Sequence, residues 1–171
     1  LPFQVGISQI RGLILLMGPL KTYQKKLRDG VISADAEQLK AVLLLQSLFE
    51  SLSHNDRKEK NLLARIFKKK GNKNSPKGIY LWGEVGRGKT FLMDLFFDSL
   101  PVKRKTRLHF HRFMIAVHAA LSEFQGRVNP LKLVAEKFQK EASVICFDEF
   151  YVSDIGDAML LDGLLGEMFS I

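Results

Sequence analysis

Gly83-Glu84-Val85-Gly86-Arg87-Gly88-Lys89-Thr90 is the stretch of sequence that decides the fold. It matches the pattern G-x-x-x-x-G-K-[ST] at every fixed position. Glycines let a backbone turn through angles closed to other residues, and the positive end of a following helix adds to an anion-binding cradle. The pattern predicts a loop that holds nucleotide phosphates, with Lys89 reaching the β- and γ-phosphates and the Thr90 hydroxyl on Mg²⁺.

The segments on either side of this loop fit the context that the pattern requires. Residues 79–82 are apolar and rich in β-forming residues, which predicts a short buried strand. Residues 91–100 predict a mostly buried helix that ends before Pro101. Strand, glycine-rich loop and helix in this order favour a phosphate-binding loop over the alternative, a glycine-rich turn that matches by chance.

A second apolar segment, residues 144–149, ends in two carboxylates, Asp148 and Glu149. Ligands meet a parallel sheet at the carboxyl ends of its strands. We therefore expect Asp148 to hold Mg²⁺, directly or through water, and Glu149 to polarise the attacking water as a general base. The alternative is an ordinary strand followed by an acidic turn. With the upstream loop, the pair predicts a magnesium-dependent nucleoside triphosphatase.

Length and composition set the limits of the fold. The chain has 171 residues, of which 46% are hydrophobic, enough to bury the core of one domain. It contains no run of about 20 apolar residues, the length that spans a membrane. The single cysteine, Cys146, lies in a predicted buried strand. We expect it to be an unreactive packing residue that suits a reducing compartment.

The net charge of +8 is concentrated in one stretch. Residues 57–77 contain nine Lys or Arg and one acidic residue, Glu59, whereas the remaining residues balance. A solvated linker is the first interpretation, and contact with an anionic partner (acidic protein, lipid headgroups or nucleic acid) is the alternative. The run 68–77 has no interleaved aromatic side chains, which argues against stacking on nucleic-acid bases.

Helical spacing of apolar residues predicts three helices before the basic linker. The first covers 19–29 and ends near Gly30. The second begins near Asp35, which with Gln38 resembles a capping box, and its apolar stripe continues to Leu52. The third covers 56–69.

Further elements are predicted after Pro101. Residues 107–113 alternate with period two, which predicts a strand, and Met114 begins a helix that runs to about Phe124. Two more helices are expected, one from Asn129-Pro130 to about Ala142 and one from about Ser153 to Phe169.

Three histidines and two aspartates allow a functional and a structural interpretation. His109 and His111 would point the same way from a strand, with His118 on the next helix, but no Cys or carboxylate completes a zinc set at the usual spacing. We favour packing near the phosphate site or contact with a partner. Asp154 and Asp157 are interpreted as capping the last helix, where negative charge suits the helix dipole.

The chain resembles the ZapE-type ATPases of bacterial cell division and their mitochondrial relatives, a branch of the AAA+ P-loop proteins. The strings RLHFHRFM (107–114) and CFDEF (146–150) are more specific for that family than either nucleotide motif. The resemblance covers about Pro19 to Phe169. It implies an α/β fold of P-loop NTPase type, three α/β/α layers with a mostly parallel sheet, preceded by N-terminal helices.

The same resemblance implies a function. It implies ATP hydrolysis with Mg²⁺, homo-oligomeric assembly, and action on the division ring protein FtsZ in the cytoplasm, at the inner face of the membrane. Our leading hypothesis is thus an ATPase that remodels a protein partner. Two alternatives remain open: an AAA+ ATPase acting on nucleic acid, and a fragment that binds nucleotide without hydrolysing it.

Four segments are expected along the chain: an unmatched remnant at 1–16, N-terminal helices at 17–70, a basic linker at 71–77 and a P-loop ATPase core at 78–171. AAA+ relatives continue into a strand with a polar sensor residue, an arginine finger and a helical lid. We therefore expect the core to be truncated, its sheet to be incomplete at the C-terminus, and the 171-residue chain alone to hydrolyse ATP slowly or not at all.

The expected site residues follow from the two motifs. Lys89 and Glu149 are the catalytic candidates, and Thr90 and Asp148 are the metal ligands. The expected nucleotide-binding residues are Gly83, Glu84, Val85, Gly86, Arg87, Gly88, Lys89 and Thr90.

Overall fold

The computed structural model describes residues 18–59 and 78–170. The chain divides after Val102 into two compact units. The predicted remnant at 1–16, the linker at 71–77 and most of the predicted helix 56–69 lie outside the described residues.

The first unit contains three helices, α1 (Pro19–Arg28), α2 (Ala36–Glu59) and α3 (Lys89–Ser99). Local signals set their ends. Proline is favoured at the first position of a helix, and Gly30, with a φ of 68°, follows the end of α1. The Asp35 carboxylate caps α2, so the capping residue was predicted correctly.

The three helices of this unit pack against one another around a shared apolar core. Each contributes side chains that are at least 96% buried, and burial of such side chains contributes about 1.5–3 kcal/mol each. These residues are Tyr23 from α1, Val42, Leu45 and Phe49 from α2, and Leu92, Leu95 and Phe96 from α3. The core therefore fixes the start of α3, and with it the end of the glycine-rich loop.

One predicted boundary within α2 is wrong. The sequence pattern separates a helix ending near Leu52 from another at 56–69, but α2 continues without a break to Glu59. Serines near the predicted break bond within the helix, since Ser51 Oγ donates to the Ser47 carbonyl at 3.0 Å and Ser53 Oγ to the Phe49 carbonyl at 2.7 Å.

The prediction of a buried strand at 79–82 is also wrong. These residues form no strand, and the side chains of Tyr80 and Trp82 are 66% and 83% exposed. A strand requires a neighbour that pairs with its N–H and C=O groups. The two strands that the structure describes form a two-stranded sheet with each other, and residues 79–82 do not join it.

The second unit begins with strand β1 (Lys105–His109) and helix α4 (Phe110–Glu123). It continues with α5 (Pro130–Glu141), β2 (Val144–Asp148) and α6 (Ile155–Ser170). The strands β1 and β2 are parallel, and their register places Lys105 beside Val144 and His109 beside Asp148. A parallel pair needs a crossover, which α4 and α5 supply.

The core of this unit joins its three helices. α5 packs against α4 and α6, and α4 also packs against β1. The buried residues of this core are Phe110, Phe113, Met114, Val117, Ala120, Val134, Ala135, Leu161 and Leu164. The helices predicted at 129–142 and 153–169 are confirmed within two residues.

The strand predicted at 107–113 ends at His109, and α4 begins at Phe110 rather than at Met114. The alternating pattern over seven residues also contains a helical one, since Phe110, Phe113, Met114 and Val117 are all buried at helical spacing. Packing of that stripe on the core decides for the helix.

Helices beside a parallel strand pair confirm the α/β class, while the three-layer arrangement stays a prediction. Over residues 18–59 and 78–170, the structure has no helix with the length and hydropathy of a membrane span.

Candidate functional site

The glycine-rich loop adopts backbone angles that only glycine takes easily. Gly86 and Gly88 have φ values of 83° and 81°, in the left-handed region, and Gly83 has a φ of 146°. An L-residue with a side chain loses about 1–2 kcal/mol in the left-handed conformation. The loop therefore needs glycine at these positions for its shape, as the sequence motif predicts.

The loop leads directly into the amino end of α3. Gly88 is the residue before the helix, Lys89 and Thr90 are its first two residues, and no described side chain caps this end. The first N–H groups of a helix have no partner inside the helix, and the helix dipole places partial positive charge there. This end of α3 is suited to an anion.

Lys89 spans the loop from α3. Its ammonium donates to the carbonyl of Gly83 at 2.8 Å and to that of Glu84 at 2.7 Å. These charge-assisted bonds close the loop across its first two residues. The positive charge of Lys89 is therefore held at the loop itself, where the predicted phosphate-binding role requires it.

The start of α2 lies against the same loop. The side-chain amide of Gln38 donates to the Arg87 carbonyl at 3.3 Å, and the Arg87 guanidinium lies 3.6 Å from Asp35 Oδ2. The hydrogen bond from the Gln38 backbone N–H lowers the pKa of Asp35, and the Glu37 N–H and the Arg87 charge lower it further. Partial desolvation raises this pKa but does not cancel their effect. Asp35 is thus held ionised beside Arg87.

A cavity of about 390 Å³ lies at this contact. Its walls come from 32–35 and Gln38 on one side and from Gly88 and Phe91 on the other. The Lys26 ammonium lies over the ring of Phe91, 5.8 Å from its centroid. The cavity therefore adjoins the last glycine of the loop.

The two carboxylates at the end of β2 lie in different surroundings. The side chain of Asp148 is 17% exposed and pairs with Arg107, whose Nε donates to Oδ2 at 2.7 Å. The side chain of Glu149 is 85% exposed, and its φ of 51° turns the chain away from the strand direction. A non-glycine residue in this conformation is uncommon and is often found at functional sites.

Two of the three histidines contact acidic residues. His109 Nδ1 lies 3.9 Å from Glu149 Oε2, and His118 Nε2 lies 2.7 Å from Asp157 Oδ1. Because β1 ends at His109, His111 belongs to α4, and the expectation that the two share one side of a strand is wrong. Among the described residues, no group of three or more His, Cys, Asp or Glu is placed to hold a metal ion.

The capping interpretation of Asp154 is confirmed, and Asp157 lies in the first turn of α6, where its negative charge suits the helix dipole. Asp154 Oδ1 accepts hydrogen bonds from the N–H groups of Gly156 at 2.7 Å and of Asp157 at 3.1 Å. The Asp157 carboxylate itself joins α6 to α4 through His118.

Cys146 occupies the middle of β2 and is half-buried. Burial raises the pKa of its thiol to about 11, although Arg107 and Lys105 favour the thiolate. A thiol with this pKa is protonated at neutral pH and reacts slowly. The expectation of an unreactive thiol agrees with this environment.

Comparison with known proteins decides the family. The model of the AFG1-like ATPase family matches residues 17–171, which include the loop, α3, β1 and the acidic pair. The chain belongs to the AFG1-like ATPase family. It is similar to the cell division protein ZapE of Escherichia coli K12, with 46% identity over 160 residues.

Two proteins of lower sequence identity also align with the chain. An uncharacterised protein of Schizosaccharomyces pombe is 36% identical over 174 residues, which cover 84% of this chain and 38% of that protein. Lactation elevated protein 1 homolog B of Danio rerio is 41% identical over 105 residues, or 55% of this chain and 21% of that protein. No solved structure matches the chain.

The alignment with ZapE covers 89% of this chain but 43% of that protein. The chain therefore spans less than half the length of the curated relatives that it matches. The residues matched by the family include the glycine-rich loop and the acidic pair.

The structure brings together the loop residues Gly83–Thr90 with the start of α3, all in the first unit. Asp148 and Glu149 lie at the end of β2 in the second unit. Sequence reasoning missed the Arg107–Asp148 pair and the contact of Arg87 with α2. The period-two pattern of the sequence indicated that Arg107 lies on a strand, but the partner of Arg107 depends on the register of β1 on β2. The Gln38–Arg87 contact joins residues 49 positions apart, which no local pattern indicates.

The predicted magnesium ligands fit the ion in their chemistry. Mg²⁺ prefers oxygen ligands and is bound by one or two carboxylates together with substrate phosphates. Thr90 offers an exposed hydroxyl at the start of α3, and Asp148 offers a carboxylate at the end of β2. In this structure Arg107 supplies the positive charge beside Asp148.

Proposed function

We propose that this chain carries the nucleotide-binding part of a magnesium-dependent ATPase, with the phosphates of ATP on Gly83–Thr90. One observation carries the proposal: a loop with two left-handed glycines leads into an uncapped helix, and the first lysine of that helix spans the loop. Backbone amides and an ammonium group are the ligands that a triphosphate requires. Membership of the AFG1-like ATPase family supports ATP as the nucleotide.

Each residue of the proposed site has its own role. Lys89 exchanges the carbonyls of Gly83 and Glu84 for the β- and γ-phosphates. Thr90 and Asp148 would hold Mg²⁺, which when bound neutralises charge on the phosphate oxygens. Glu149, which is exposed and carries no strong ion pair among the described contacts, orients the attacking water and accepts its proton.

Binding of ATP by wild-type protein and a Lys89→Ala variant tests the nucleotide site. Loss of hydrogen bonds to a charged group costs about 1.5–3 kcal/mol, so we expect Kd to rise about 10- to 150-fold. Lys132→Ala, which removes a lysine from α5, is the matched control and should bind like wild type. Equal affinity of the Lys89→Ala variant and the wild type would contradict the proposal.

Hydrolysis is tested at Glu149. In the complete ATPase, the Glu149→Gln variant should bind ATP as wild type does and release phosphate about 10²- to 10⁴-fold more slowly, the usual contribution of a general base. Glu141→Gln, an exposed carboxylate at the end of α5, is the control. Normal turnover by Glu149→Gln would remove Glu149 from this role.

The partner is proposed from the relatives. ZapE is named a cell division protein, and this likeness supports ATP-driven remodelling of a protein such as FtsZ by a homo-oligomer in the cytoplasm, at the inner face of the membrane. ATP-dependent change in the sedimentation of FtsZ polymers, lost in Glu149→Gln, would support it. ATPase stimulation by DNA that falls steeply with salt would instead favour a nucleic-acid partner.

A second candidate, nucleotide binding without hydrolysis by this chain, is favoured by the Arg107–Asp148 pair. The guanidinium occupies the carboxylate that is proposed to hold Mg²⁺. ATP binding whose affinity is the same with magnesium and with EDTA, and without phosphate release, would support this candidate.

A further inference from the structure

The start of α2 contacts the glycine-rich loop at the one residue that separates its two left-handed glycines. Arg87 lies between Gly86 and Gly88, whose φ values are 83° and 81°. Its carbonyl accepts a hydrogen bond from Gln38 Nε2 at 3.3 Å, and its guanidinium lies 3.6 Å from Asp35 Oδ2. Both the backbone and the side chain of Arg87 are therefore held from the same turn of α2.

Asp35 makes two kinds of contact with its two oxygens. Oδ1 accepts the N–H groups of Glu37 at 2.8 Å and Gln38 at 3.1 Å, which caps α2. Oδ2 faces Arg87. Because one carboxylate both caps the helix and contacts the loop, the position of the loop is tied to the start of a helix whose core side chains are buried.

Gln38 also limits the space at Gly88. A Cβ built on Gly88 would lie 2.9 Å from Gln38 Nε2, closer than real Cβ atoms approach. The Gln38 amide therefore lies directly over the last glycine of the loop, at the wall of the 390 Å³ cavity. This contact and the hydrogen bond to Arg87 restrict the loop on its side facing α2.

We propose that Asp35 and Gln38 are positioning residues for the phosphate-binding loop, which hold Arg87 and through it the Gly86–Gly88 backbone in the shape that accepts phosphate. The inference rests on the proposed binding of ATP to this loop. It assigns to the N-terminal helices a role in nucleotide affinity. A loop that is held before binding loses less conformational freedom when the ligand arrives, so affinity rises.

Titration of the protein with ATP that carries a fluorescent group on the ribose, in magnesium buffer, measures both the affinity and the fraction of binding-competent protein. Gln38→Met keeps the length and helix propensity of the side chain and removes its donor. We expect Kd to rise about 2- to 12-fold, the contribution of one hydrogen bond, with unchanged stoichiometry. Asp35→Asn keeps the cap and removes the charge, and should raise Kd about 1.4- to 5-fold.

The stoichiometry separates positioning from folding. A substitution that irreversibly misfolds part of the protein lowers the fraction that binds and leaves the Kd of the remainder unchanged. Reversible unfolding instead raises the apparent Kd by the reciprocal of the folded fraction, which circular dichroism at the titration temperature measures. Lys40→Ala removes the exposed pair with Glu37 in the same turn of α2, 2.7 Å long, without touching the loop, and should leave Kd unchanged. A lowered stoichiometry with wild-type Kd in the two test variants would overturn the inference.

The route through Arg87 is tested in an Arg87→Met background. There Asp35→Asn should have no further effect, because its partner guanidinium is gone. Gln38→Met should keep its effect, because its partner is the carbonyl of residue 87, which remains with any side chain. Retention of the Asp35→Asn effect, or loss of the Gln38→Met effect, would contradict the proposed route.

Failure of the inference and failure of the proposed function give different results. If wild-type protein binds ATP and both test variants bind it equally well, the positioning role is wrong and the nucleotide site stands. If wild-type protein and the Lys89→Ala variant alike fail to bind ATP, the proposed function is wrong and the inference falls with it.

Discussion

Substitution of Gly88 by alanine tests whether the shape of the loop carries the nucleotide site. Gly88 has a φ of 81°, and an alanine in that conformation costs about 1–2 kcal/mol. Alanine also reduces the freedom of the unfolded chain, which offsets about 0.4–1 kcal/mol. The new Cβ would meet Gln38 Nε2 at 2.9 Å and displace it from Arg87, a hydrogen bond of about 0.5–1.5 kcal/mol.

These terms leave a net loss of about 0.5–3 kcal/mol in the free energy of unfolding for Gly88→Ala. A loss of 1 kcal/mol shifts Tm by about 2–4 °C in a chain of this size. The Gly88→Ala variant can relieve its backbone strain only if residue 88 leaves the left-handed region. The loop then loses the backbone shape that presents its amide groups. We therefore expect the affinity for ATP to fall at least about tenfold, about 1.4 kcal/mol.

Gly30→Ala is the matched control. Gly30 has a φ of 68° after the end of α1, and no described atom lies within 4 Å of a Cβ built there. Urea unfolding should show a similar backbone cost of about 1 kcal/mol, whereas ATP titration should match wild type. If both variants lose stability and both keep wild-type affinity, the left-handed conformation at Gly88 is not what binds phosphate.

Two further substitutions or reagents test the second unit. The rate at which iodoacetamide alkylates Cys146 in the folded protein should keep rising up to about pH 11, because burial raises the pKa of this thiol. In urea the same rate should level off near the ordinary thiol pKa of about 8.5. A plateau near pH 9 in the folded protein would contradict the burial of this thiol. Phe113→Ala should lower the free energy of unfolding by about 3–5 kcal/mol, because the residue is 1% exposed and its ring packs on Phe138 and Phe147. The control Ile115→Ala, at a position on the same helix that is 56% exposed, should change this free energy by about 0.5 kcal/mol. Equal losses in the two variants would show that Phe113 is not a core residue.

Elements whose signals are local were predictable from the sequence. Pro19 and Pro130 open α1 and α5 at the first position, Asp35 and Asp154 cap α2 and α6, and Gly30 follows the end of α1. Each signal acts through atoms within four residues of its own position, so it needs no knowledge of the rest of the fold. The shape of the glycine-rich loop was predictable for the same reason.

Elements that depend on distant partners were not predictable in this way. Residues 79–82 have strand composition, but composition does not supply the neighbour that a strand needs. In the segment 107–113, strand and helix periods both fit, and only burial of Phe113 against the core decides between them. The pairing of Arg107 with Asp148 follows from the register of β1 on β2, which no pattern within either strand sets.

The glycine-rich loop and the acidic pair belong to different units of the chain, so the two halves of the proposed chemistry, phosphate binding and activation of water, can be tested by separate substitutions. The phosphate loop and the residues that hold it lie in the first unit, whereas Glu149 lies in the second. In the proposed chemistry the phosphate loop and the residues that hold it bind the phosphates before reaction, and Glu149 activates the water. Changes at Gln38 or Gly88 should therefore alter the affinity for ATP, and a change at Glu149 should alter turnover. If Glu149→Gln weakened ATP binding as strongly as Lys89→Ala does, the division of roles between the loop and the acidic pair would be wrong.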